Sequence, residues 1–238
     1  MANHITTVAT ITGPDEEIGR LLRTHVLPVE REPGEKADGS VFLDFRTVIP
    51  KASIVDQTQA GSAATIGLAA LVGDVIWTDF THFAYLPAGV LKGAPYRHAA
   101  LVREWLAANH PNALVEGRKC AQCIAETGYP NWLEWSCANW GTKWNSYDYT
   151  ERERIAGRAA VQFVTANGVP RPILRRLSEM YPLLVIEIES IDEGGPEFVG
   201  QYSDGAERFK QVEHDRERYK RVYGEYPDAG DDDAEASP

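Results

Sequence analysis

A strand-helix-strand order is written twice in this chain, once near each end, and that repetition limits the folds open to it. Residues 5–12 are rich in β-branched side chains, Gly13-Pro14 breaks the run, and Asp15-Glu16-Glu17 opens a helix with acids in its first turn. Ile18, Leu21, Leu22 and His25 share one face of that helix, where His25 is expected to cap or pack. Residues 28–40 hold many charges with Pro33, Gly34 and Gly39 and read as a loop; Val41, Leu43, Phe45 and Ile49 then alternate as a second strand ended by Pro50. The order returns with a strand over 159–166, a helix opened by Pro170 and Pro172 with Ile173, Leu174, Leu177, Met180 and Tyr181 inward, and a strand over 183–191. Two such units with right-handed crossovers give a split βαβ arrangement of α+β class, an antiparallel sheet with both helices on one face. Gly194-Gly195 turns the chain into a fifth strand over 198–202.

Between the two units lies an insertion, residues 51–158. Helices are expected over 62–76 and 95–109, the latter with Leu101, Val102, Trp105 and Leu106 as its buried stripe and His98 packed beside them. The insertion also carries residues 129–149, with four of the six tryptophans. Pro130 opens a helix there and Gly141 ends it in a left-handed conformation. Trp132, Trp135, Ser136 and Asn139 fall on one face; Leu133, Cys137 and Trp140 line the next. After Gly141, Trp144, Ser146 and Asp148 alternate with Lys143, Asn145, Tyr147 and Tyr149, as in a strand with two mixed faces. Two readings follow. The tryptophans are a core clasp, or Trp132, Trp135, Asn139, Trp140, Lys143, Trp144, Asn145 and Asp148 form a binding surface of polar groups set among aromatics.

The expected organisation is thus a discontinuous sandwich over 1–50 and 159–204, the insertion over 51–158, a charged helix over 205–224 with Phe209, Val212, Arg216, Tyr219 and Tyr223 at heptad-like spacing, and a disordered acidic tail over 225–238. That tail holds six acids and no base, a large part of the net charge of −11. Such a balance disfavours direct nucleic-acid binding and favours a protein partner with a basic surface. Three cysteines, an odd number, without an apolar leader point to a reducing, cytosolic setting; the most apolar run, 66–77, contains Asp74 and is too short to span a bilayer.

Cys120-x-x-Cys123 with Cys137 and His110 supplies the residue types of a Cys3His zinc site. The segment lacks the Gly or Pro of a tight turn and reads as helix, so buried cysteines and no metal are expected. The six histidines are scattered, and there is no His-x-x-x-His, Gly-x-Ser-x-Gly, phosphate loop or dinucleotide fingerprint. Asp192 and Glu193 before Gly194 read as turn residues. No catalytic residue and no cofactor are assigned.

Ile11-Thr12-Gly13-Pro14, the run Trp132-x-x-Trp135-x-x-x-Asn139-Trp140-Gly141-Thr142-Lys143-Trp144, Tyr147-Asp148, Phe163-x-Thr165-Ala166 with Pro170, and Asp192-Glu193-Gly194 with Phe198-x-Gly200 together resemble the Api-ninety-two-like proteins of phages and plasmids, whose function is uncharacterised. The resemblance implies a ferredoxin-like fold and a mobile-element origin, and supplies no catalytic residues. The expected function is that of a non-enzymatic accessory protein that binds a host protein complex in the cytosol, a defence nuclease being one such partner. The alternative is a small-molecule or nucleotide pocket at the tryptophan segment, and a third reading is single-stranded RNA on the open sheet face.

Overall fold

The computed structural model describes residues 2–29, 38–72 and 99–227. The chain forms two compact units, Met1–Pro50 with Ser136–Pro238, and Lys51–Trp135. The first is an α+β body.

Its centre is strand β1 (His4–Thr12), followed by helix α1 (Asp15–His25) with Asp15, Glu16 and Glu17 in the first turn. Among the described residues, short strands β2 (Val26–Pro28) and β3 (Val41–Leu43) pair only with each other. The strand expected over 41–49 is therefore corrected: after Leu43, Asp44 caps a 3-10 turn over Phe45–Thr47. Its side chain accepts the Arg46 N–H, a local bond that competes with any ladder.

The strand that joins the main sheet comes much later. Here β4 (Tyr147–Ile155) and β5 (Arg158–Ala166) pair as a hairpin, helix α7 (Arg171–Met180) crosses over, and β6 (Val185–Asp192), β7 (Glu197–Ser203) and β8 (Ala206–Val212) close the sheet. The spatial order is β4-β5-β1-β6-β7-β8, every pair antiparallel. Every residue of β1 has a partner in β5, and Ile5 through Thr12 have partners in β6. One sheet face carries Ile5, Ala9, Ile11, Val161, Phe163, Ile186, Ile188 and Tyr202, all buried under Ile18 and Leu21 of α1 and Ile173, Leu174 and Leu177 of α7. Thr7 and Ser190 meet on this face with their hydroxyls 2.9 Å apart, so the polar pair inside the core is satisfied.

The helix expected over 205–223 is also corrected. Asp204 (φ 47°) and Gly205 (φ 75°) make a two-residue hairpin turn, so β8 follows, and only α8 (Arg216–Tyr223) is helical. α8 lies on the other sheet face, against β1 and β6. Val222 is fully buried there, Arg221 grips Glu189 through two bonds of 2.7 and 2.8 Å, Arg218 pairs with the buried Glu197, and Arg152 of β4 donates to the carbonyls of Arg221 and Val222. This helix occupies the central strands that a base-stacking platform would need free. The acidic tail beyond residue 227 lies outside the described residues.

The second unit is helical: α2 (Ser53–Asp56), α3 (Ser62–Val72), α4 (Ala99–Asn109), α5 (Pro111–Thr127) and the start of α6 (Trp132–Asn139). Residues 73–98, with the expected end of the first helix, the start of the second and His98, lie outside the described residues. α3 and α5 cross at Gly67 and Gly117, where a Cβ on either glycine would overlap the other helix's backbone. Val102 and Leu106 are fully buried, as their spacing predicts. Asn131 caps α6, its Oδ1 accepting from Leu133 and Glu134 N–H at 3.0 and 3.1 Å.

Two outcomes follow. A Cβ on Gly168 would overlap the Gly141 carbonyl oxygen, whereas one on Gly61 meets nothing within 4 Å. Gly168→Ala should cost about 1–3 kcal/mol in chemical denaturation, and Gly61→Ala should stay within about 0.5 kcal/mol of the parent. His25 is fully buried between Thr47 Oγ1 (2.6 Å) and Tyr181 Oη (3.0 Å), and burial lowers its pKa from 6.5 against the opposing pull of Asp44. The unfolded chain takes up the proton first. Its contribution is therefore complete above the unfolded value of 6.5 and declines as pH falls below it, toward the lower folded pKa. Melting of His25→Gln should depend less on pH between about 7 and 5 than melting of the parent; equal slopes would refute the assignment.

Candidate functional site

The tryptophan stretch is structural along most of its length. In the helical unit, Trp132 is half-buried, with its backbone N–H on Thr58 Oγ1 at 2.9 Å, and Trp135 is buried. In the α+β body, Trp140 is 2% exposed; its indole N–H reaches the Ile49 carbonyl at 3.0 Å and its ring meets Phe45 edge-on at 5.9 Å. Asn139 is half-buried in the last turn of α6. The expected strand after Gly141 starts later, because residues 141–146 are tied down singly: Thr142 Oγ1 and the Lys143 N–H both bond the Ala166 carbonyl, at 2.7 and 3.0 Å.

The side chain of Asn145, one of the candidate binding residues, makes three bonds within the fold. Its Oδ1 accepts from the N–H groups of Phe45 (2.9 Å) and Ser146 (3.0 Å), and its Nδ2 donates to Asp44 Oδ1 (2.7 Å). Burial pushes the Asp44 carboxyl up, but the bonds from Arg46 and Asn145 outweigh it and hold its pKa below the ordinary value. Ser146 Oγ donates to the Leu43 carbonyl at 2.8 Å, completing a seam between residues 43–45 and 145–146.

The outward residues of the stretch do not converge. Trp144 is 40% exposed with the Lys143 ammonium 4.8 Å from its ring centroid, a surface cation–π pair. Asp148 is exposed in a left-handed conformation (φ 51°). With Asn145 it borders an open cleft of about 780 Å³ whose far wall is Val29, Ser40, Val41, Phe42 and Arg46. Residues 30–37 between those wall positions are outside the described part.

A second cleft, of about 460 Å³, was not assigned from the sequence. It opens between the start of α7 and the helical face of β7 and β8, with Ile5, Gly141, Asn167, Gly168, Val169, Arg171, Pro172, Arg175, Asp192, Phe198, Glu207 and Phe209 around it. Asn167 (φ 64°) fixes the rim: its Oδ1 accepts the Asn3 N–H at 2.8 Å, and its own N–H reaches the Asn3 carbonyl at 2.9 Å. Thr165 Oγ1 holds the Gly168 carbonyl at 2.8 Å. The floor is aromatic. Phe198 and Phe209 stack with centroids 5.5 Å apart and planes 15° apart, in the space left beside Gly200.

Arg171 lies over the Phe209 ring at 4.4 Å and donates to Glu207 at 2.5 Å, a bond that raises the guanidinium pKa. Arg175, one turn further along α7, has a side chain 55% exposed with Glu179 at 4.0 Å. Asp192 accepts from Gly194 N–H (2.8 Å) and Asn3 Nδ2 (3.1 Å). Both carboxylates are thus held in place by donors from the fold. Aromatic rings with arginines at the mouth of a cavity are the composition of a recognition hot spot. In the sequence the i, i+4 pair Arg171 and Arg175 and Phe198-x-Gly200 mark this cleft, whereas Phe209 joins it only as a residue of β8 and not of the expected helix.

Cys120 and Cys123 are buried on α5, and burial, with Cys123 and Glu116 adding, pushes the Cys120 thiol up. Among the described residues no group of three or more His, Cys, Asp or Glu side chains is placed to hold a metal ion. Nor, among them, is any helix long and apolar enough to cross a membrane.

No family model matches the chain, and no curated protein matches it. Among solved structures it is similar to the crystal structure of a protein api92 from Yersinia pseudotuberculosis, at 9% identity and a TM-score of 0.42, covering 90% of this chain and 99% of that one. That protein carries the name of the family the sequence motifs resemble, and at this level of superposition the likeness carries no conclusion about activity or origin.

Proposed function

We propose that this is a non-enzymatic binding protein of the cytosol, which takes a segment of a protein partner into the cleft between α7 and β7–β8. The observation that carries the reading is the Phe198–Phe209 stack with Arg171 laid over it and Arg175 at the rim. Such a constellation offers rigid apolar area and planar donors at little entropic cost. The motif resemblance supports the narrower picture of a mobile-element accessory protein acting on a host complex, a defence nuclease among the candidates. It also favours naming the sheet ferredoxin-like. The order β4-β5-β1-β6, with α1 and α7 on one face, is what supports that name, β7 and β8 being additions at one edge.

Charge gives the partner a different character from the one argued from composition. The acidic tail lies outside the described residues, and at the cleft Arg171 and Arg175 are matched by Asp192 and Glu207. The exposed Arg208 and Lys210 on the other face of β8 are what favour an acidic segment over a basic one. A nucleotide is the second reading, because about 460 Å³ falls within the range of small-ligand cavities.

The full chain, immobilised in host lysate, should hold a stoichiometric protein that both Phe209→Ala and the surface change Arg175→Glu release, with circular dichroism unchanged. A partner retained equally by both variants, or none at low and moderate salt, overturns the reading. In the same preparations a nucleotide at a hundredfold excess over its dissociation constant would add about 2.7 kcal/mol to stability. A melting shift of that order with nucleotides, and no retained protein, would put the second reading in place of the first.

A further inference from the structure

Resting on that reading, we propose how the partner segment is held: as an extended strand added to the outer edge of β8, with acidic side chains alternating with apolar ones. Among the described residues the sheet has two edges, β4 and β8. They differ in a way that bears on docking. β4 is irregular, with register shifts between Tyr147 and Thr150 and between Glu151 and Glu153, and a bulged edge is a poor template for another strand. β8 pairs with β7 in unbroken register from Ala206 to Val212 and contains no proline. The alternate backbone N–H and C=O groups of such a strand that point away from β7 form a regular row of donors and acceptors.

The side chains of β8 say what strand would fit. Glu207 and Phe209 stand opposite Tyr202 and Gly200 on the helical face, beside the cleft, so one side of an incoming strand meets the Phe209 ring and a Glu207 carboxylate already bonded to Arg171, where apolar residues fit and acids do not. Arg208 and Lys210 stand on the other face, both exposed. Every second residue of the newcomer would lie beside these two cations, where carboxylates are favoured and ammonium groups disfavoured. A second copy of β8, paired antiparallel about Phe209, would set Arg208 against Lys210. The same two cations that welcome an acidic strand thus oppose self-association. This is strand addition with main-chain bonds for affinity and alternating side chains for selection.

Labelled peptides of alternating Glu and Val, or of alternating Lys and Val, titrated with the full chain and read by anisotropy, test this. The Glu–Val peptide should bind at least about tenfold tighter than the Lys–Val peptide, and the double change Arg208→Glu and Lys210→Glu, at exposed positions, should reverse the order. Methylating alternate backbone nitrogens of the Glu–Val peptide should abolish binding, and its binding should slow amide exchange in β8. Equal binding of the two peptides, full affinity of the methylated one, or unchanged β8 exchange overturns strand addition. If Glu–Val fails while the lysate partner is still lost on Phe209→Ala, strand addition falls and the protein-binding reading stands. If no lysate partner exists either, both fall.

Discussion

Double pairing of β1 is the constraint on which the α+β body depends. Its residues are bonded to β5 on one side and to β6 on the other, in registers without a slip. A shift of one residue would bring Thr6, Val8 and Thr10 to the face now holding Ile5, Thr7, Ala9 and Ile11, and would separate the Thr7 and Ser190 hydroxyls inside the core. The hydrophobic layer under α1 and α7 and that buried polar pair therefore select the same register. With β1 so placed, β5 and β6 become parallel neighbours across it, and α7 is their crossover.

A second set of bonds fastens the segment before β4. Asn145 satisfies two backbone N–H groups and the buried Asp44 carboxylate, Thr142 and Lys143 hold the Ala166 carbonyl, and Trp140 caps the Ile49 carbonyl. Polar side chains among aromatics look in a sequence like ligand contacts. Here Thr142, Asn145 and Ser146 answer the bonding needs of an irregular backbone that has left the ladder and is partly buried. The cleft lined by Phe198 and Phe209 lies at the next bend, where the chain leaves β5 and enters α7.

Legibility followed how far each segment's own pattern agreed with its surroundings. β1, α1, β5 and α7 are readable because their apolar pattern and burial agree, and β7 because Gly194-Gly195 marks the turn before it. Residues 41–49 misled because alternation continued past Leu43, while Asp44 turned the backbone with its own carboxylate. β4 was hard to see: Glu151, Arg152, Glu153 and Arg154 follow one another at the sheet edge, where no apolar face is required. β8 was lost because apolar residues at heptad-like intervals outweighed Asp204-Gly205, a hairpin turn in plain view. That one misreading also concealed the cleft, since Phe209 stacks on Phe198 only as a strand residue.

The place of β1 in the sheet has a bearing on how the protein is made. Its ladder partners lie far along the chain: His4 pairs with Ala166 in β5 and Ile5 with Asp192 in β6. At about 5–20 residues per second, translation leaves this β-branched strand without its mates for roughly ten to thirty seconds. Until β5 and β6 have been made, both edges of β1 lack their ladder partners, so the sheet cannot close around it.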